Sequence, residues 1–147
     1  MGWVTAVASV AAAQQASTVG KYNQDIQERN AVVAEQEKER LEQRLEFDLA
    51  RFDQQFAELQ GQTKTRIVKS GAELSGSGLR ILRSNAEQAE IEKDVLDYNS
   101  KVAQSRKLEE ANFARMSGQM ARMEARQAQI GYYAQAGQSL LTMSKGA

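Results

Sequence analysis

The chain has 147 residues, of which 26% are charged, 41% hydrophobic and only 6% aromatic, and its 19 basic side chains balance its 19 acidic ones. It contains no proline, cysteine or histidine. This removes the commonest general base, the best side-chain nucleophile, the usual zinc ligands and any disulfide framework, and zero net charge gives no overall field toward nucleic acid or an anionic membrane.

In chain order, residues 3–19 (WVTAVASVAAAQQASTV) carry no charge and are built mainly from Ala, Val, Ser and Thr. A secretory signal is not expected, because Met1 is followed by Gly-Trp-Val-Thr without a basic stretch. Residues 21–70 form a charged segment of helical period. Within it Leu41, Leu45, Leu49, Phe52, Phe56 and Leu59 recur at steps of three and four, one face of a helix and close to a coiled-coil seam.

Residues 71–78 (GAELSGSG) hold three glycines and are the strong break in mid-chain. Gly71 suits the left-handed position after a helix end, following the well-placed cation of Lys69. Ser75 or Ser77 can cap the next helix, and Gly76, Ser77 and Gly78 complete the predicted turn.

A second charged segment, residues 79–127, repeats the apolar spacing with Leu79, Leu82, Ala86, Ala89 and Leu96. It carries further stripes, Ile91, Val95, Tyr98 and Val102, then Phe113, Met116, Met120 and Met123. More than one stripe on a helix implies more than one neighbour, so an oligomer is expected. Residues 130–143 (IGYYAQAGQSLLTM) are uncharged again.

The predicted fold is all-α: a long helical hairpin of two antiparallel helices of roughly fifty residues each, with short apolar helical ends. Its parts are an Ala-rich helix at 1–20, the hairpin at 21–128 and an uncharged segment at 129–147. Folding about residues 74 and 75 sets residue i opposite about 149 minus i. The predicted seam then comprises Leu45, Leu49, Phe52, Phe56 and Leu59 on one arm and Leu82, Ala89 and Leu96 on the other. Charge agrees with this pairing, since residues 22–51 hold eight acids and five bases while 98–127 hold six bases and three acids. Both uncharged ends would meet at one tip, with a basic turn (Lys64, Arg66, Lys69, Arg80 and Arg83 against Glu73) at the other. A long helix merely bent at the glycines is the rival arrangement.

The uncharged ends supply the candidate contact residues: Trp3, Val4, Val7 and Val10 at the start, and Ile130, Tyr132, Tyr133, Leu140 and Leu141 at the end. About seventeen uncharged residues is near the lower limit for crossing a bilayer. The small residues Ala8, Ala11, Ala12 and Ala16 would favour close helix contact in lipid. An Ala-rich helix buried in an oligomer interface explains the same pattern, and two tyrosines suit either setting. The methionine stripe reads as adaptable packing. The acids Glu87, Glu90, Glu92 and Asp94 are spaced as a solvated helix face, with no apolar pocket to perturb them. No catalytic group, metal or cofactor is expected.

The Ala-rich start leading into GKYNQDIQERNAVVAEQEKER, followed by KTRIVKSGAELSGSGLRILRSNAEQAEIEKDVLDYNSKVAQSRKLEEANF, resembles the small internal virion proteins of short-tailed bacteriophages. The likeness rests on Ser70-Gly71, Gly76-Ser77, the acids from Glu87 to Asp97, and Tyr98-Asn99. It implies a non-enzymatic core protein stacked on the portal protein inside the capsid, beside other internal virion proteins. At infection such a protein leaves the particle and helps form a channel through the host outer membrane. Two other readings remain: a structural coiled-coil scaffold or portal adaptor that never meets lipid, and a helical protein contacting phage DNA non-specifically through its basic turn.

Overall fold

The computed structural model describes residues 2–71 and 76–145, and among them there are two helices and no strand. Helix α1 spans Gly2–Lys69, 68 residues, and α2 spans Ser77–Lys145, 69 residues. Both exceed the expected length because the uncharged ends continue the charged arms without a break. With no proline in either, no backbone donor is missing. Hydroxyls in the weakly helix-forming ends bond back along the helix instead of competing with it: Ser9 Oγ donates to the Thr5 carbonyl, Thr18 Oγ1 to Gln14 and Ser139 Oγ to Gln135.

Helix α1 stops where the sequence predicts. Arg66 and Lys69 lie in its last turn, favourable to the dipole. Gly71 has φ of 76° and its N–H donates to the Val68 carbonyl at 3.1 Å, a left-handed cap that glycine adopts without strain. The next helix is capped differently from expectation. Gly76, with φ of 75°, accepts the first helical bond from the Arg80 N–H, so Ser77 is already inside the helix. Ser75, Glu73 and the fold axis at 74–75 lie outside the described residues.

The chain divides into two compact units. The turn unit, Gln36–Lys107, is a helical hairpin in which α1 and α2 run antiparallel. Its cross-helix pairs are Lys107 with Glu37 at 2.5 Å, Lys93 with Asp53 at 2.7 Å, and Asn85 with Gln60. Residue i therefore faces about 145 minus i, one helical turn away from the predicted register. A slip of one turn returns nearly the same face, so apolar periodicity alone does not oppose it.

The terminal unit, Met1–Glu35 with Leu108–Ala147, is an antiparallel helix pair in the same register. Gly2 lies against Met143, Gly20 against Ala125, and Gln27 against Gly118. Its buried side chains are small: Ala6, Ser9 and Ala13 near the start, and a cluster of Ala31, Ala34, Ala111 and Ala114. Ile67, in the turn unit, is the one buried apolar side chain larger than alanine among the described residues. Alanine seams let helices approach closely but bury little apolar area each, about 0.8 kcal/mol per buried carbon.

Candidate interaction surfaces

The residues expected along the seam of the turn unit differ in burial. Leu45, Leu49, Phe52, Phe56 and Leu82 are half-buried and Ala89 is buried. The Phe52 and Phe56 rings stack with centroids 6.5 Å apart. Leu59 and Leu96 depart from expectation, being 53% and 36% exposed. The physical reason is the helical step: beyond Phe56 the contact side of α1 continues through Gln60, Thr63 and Ile67 rather than Leu59. Gln60 Nε2 donates to the Leu82 carbonyl at 2.9 Å while its Oε1 accepts from Asn85 Nδ2. Leu59 is left at the margin, beside Phe56 and Ala89, in a shallow groove of about 240 Å³. Gly78 is buried, whereas Gly71, Gly76 and Ser77 are exposed.

The basic side chains Lys64, Arg66, Lys69, Arg80 and Arg83 are all exposed in this unit. No aromatic ring lies beside Arg66 and Lys69 in the groove they line with Gly61, Gln62 and Thr65. The arrangement offers charge for phosphates but no stacking platform for bases.

The terminal unit brings the two uncharged ends side by side. Trp3, Val7 and Val10 of α1 line a groove of about 480 Å³ with Ala136 and Leu140 of α2. Tyr132 lines a neighbouring one with Ala16, Val19 and Gly20. Val4, Ile130, Tyr133 and Leu141 are exposed and line neither of these grooves. Ala6, Ser9 and Ala13 face α2 instead of Ala8, Ala11, Ala12 and Ala16, which are exposed or half-buried. None of the helices, among the described residues, is long and apolar enough to cross a membrane.

Arg115 fixes this unit electrostatically. Its Nη1 donates to Glu35 Oε1 at 2.6 Å and its Nε to Glu28 Oε1 at 3.3 Å, joining α2 to two carboxylates that lie two turns apart on α1. The Arg115 hydrogen bond holds the Glu35 carboxyl below its ordinary value, and the two carboxylates raise the Arg115 guanidinium. In the turn unit Lys107 lowers Glu37 in the same way. The predicted charge blocks therefore do meet across the helices. The specific residues, Arg115 above all, were not singled out by the sequence, because a block of net charge does not say which member reaches across.

Among the described residues no group of carboxylates is placed to hold a metal ion, and no buried side-chain polar atom lacks a partner. Compared with family models, curated proteins and solved structures, the chain has no match.

Proposed function

We propose that the chain is a non-enzymatic core protein of a short-tailed phage virion, self-assembled on the portal inside the capsid and ejected at infection to help carry the genome through the host outer membrane. The observation that carries this reading is the juxtaposition of two uncharged helix ends in the terminal unit, with Trp3, Val7, Val10 and Leu140 exposed around one groove. The sequence likeness supplies the virion context. An alanine seam between helices and the absence of cysteine fit a chain that must be opened to pass a narrow portal. Lipid contact on this reading is made by the apolar ends lying in the headgroup region, or by several copies together, since no single described helix suffices to span.

The test uses Trp3, the only tryptophan in the chain, as its own probe. Adding phosphatidylethanolamine–phosphatidylglycerol vesicles should shift its emission to the blue and carry the protein down with the lipid. Val7→Glu with Val10→Glu should abolish both effects. Unshifted emission with no co-sedimentation would leave the second reading, a structural portal adaptor that never enters lipid. Imaging the particle, with paired-helix density sought on the portal, tests the virion placement separately.

A further inference from the structure

Helix α2 of the terminal unit has a second apolar seam on the side away from α1. Phe113, Met116, Met120, Met123, Ile130 and Leu141 all fall on one alternation of three- and four-residue steps. Each is between 59% and 72% exposed. The buried seam toward α1 runs through Ala111, Ala114 and Gly118. Two residues separate Ala111 from Phe113, a rotation of about 200° on a helix of 3.6 residues per turn. The two seams therefore lie back to back, so covering the outer one leaves the α1 contact untouched.

We propose that this outer seam is the docking face for a second copy of the chain, α2 against α2, running antiparallel about Gln127. This names the surface behind the self-assembly proposed above and rests on that part of the reading. The steric pattern selects the occupant and its direction. The first half of the seam is uniformly bulky, whereas the second includes the small residues Ala134 and Gly137. In a parallel pair every layer meets itself, methionine on methionine and glycine on glycine, so wide layers would hold narrow ones open. Antiparallel, Met116 comes opposite Gly137, Met120 opposite Ala134, Met123 opposite Ile130, and Phe113 opposite Leu141.

Gln127 is the one polar side chain on the seam and sits at its centre. At the twofold axis its amide has both a donor and an acceptor for its own copy, and a single polar layer of this kind fixes register. The area is comparable to that of a standard interface. Six large side chains exposed to this degree offer on the order of 700 Å² per copy, against roughly 800 Å² per partner in a standard stable interface.

The experiment is sedimentation and light scattering of the full chain over a range of concentrations. The unsubstituted chain should self-associate. Met120→Glu and Met123→Glu should weaken association at least ~10-fold, because each puts an unpaired carboxylate into a closed apolar layer. Both sites are exposed in one copy, so neither substitution touches the α1 contact, and Met120→Leu should retain association. Since the chain has no cysteine, single introduced cysteines report direction. Gln127→Cys should crosslink to itself, and Met120→Cys should crosslink to Ala134→Cys faster than to itself. A monomer at all concentrations overturns the proposal together with self-assembly. An oligomer indifferent to Met120→Glu overturns this surface alone, and faster Met120→Cys self-linking overturns the antiparallel arrangement.

Discussion

Alanine substitution at two glycines of α1 should affect stability unequally. A Cβ added at Gly20 would lie 2.1 Å from the Cβ of Ala125, whereas one added at Gly61 meets nothing within 4 Å. Nonbonded carbons rest about 3.5–4.0 Å apart, so at Gly20 the new methyl arrives roughly 1.5 Å too close. Its obstacle is the rigid root of a side chain on the facing helix, so the helices must part. Overpacking of this kind costs about 1–3 kcal/mol. Both substitutions gain the same helix propensity, about 1 kcal/mol over glycine. The difference between the variants therefore isolates the steric cost. Gly61→Ala should be stabilised by about 1 kcal/mol, and Gly20→Ala should fall below it by ~1–3 kcal/mol. Thermal denaturation followed by circular dichroism at one fixed protein concentration would show this as a gap of several degrees, at roughly 2–4 °C per kcal/mol. Equal stabilisation of the two variants would refute the close approach at Gly20, and with it the observed register.

Ala31→Leu should destabilise by about 1–3 kcal/mol, because Ala31 is fully buried against the Ala111 and Ala114 cluster and the helices cannot admit three more carbons there; a melt that does not move would mean the seam lies elsewhere. Acid should weaken the terminal unit. The Glu35 carboxyl is held down by Arg115, so its contribution is present above the ordinary carboxylate pKa and is lost as pH falls through the lowered folded value. Melting temperature followed from neutral pH to about pH 3 should decline less steeply in Glu35→Gln than in the unsubstituted chain, and high salt should shrink the difference.

Helix type, the cap at Gly71 and the antiparallel pairing were legible because each has a local chemical cause. Absence of proline permits the helices, Gly71 takes the left-handed cap, and apolar steps of three and four mark a face. The register was not legible to better than one turn. Sliding by about four residues turns the same face of each helix inward and leaves the opposed charge blocks opposed, so neither pattern penalises the slip. Contacts that do penalise it are those of small residues, Gly20 with Ala125 and Ala31 with Ala114, and alanine is too common in this chain to signal a seam by itself. Gln60 was invisible for a related reason. A polar residue beside Leu59 reads as the solvent side until the partner helix supplies the Leu82 carbonyl and the Asn85 amide.

The two kinds of seam divide the work between a single copy and an assembly. Toward α1, the α2 helix of the terminal unit buries alanines, which gain little each but require close fit. Away from α1, it exposes phenylalanine, methionine and isoleucine, which gain nothing until a neighbour covers them. If the large side chains faced inward, one copy would be stable alone and assembly would add little. With the reverse arrangement, the large side chains of this part of α2 would be buried only by the proposed contact between copies. On that proposal stability would depend on local concentration, higher where copies are crowded together than for a chain on its own. A protein proposed to be packed in a particle and then passed singly through a narrow opening needs that dependence, and a conventional core would oppose it.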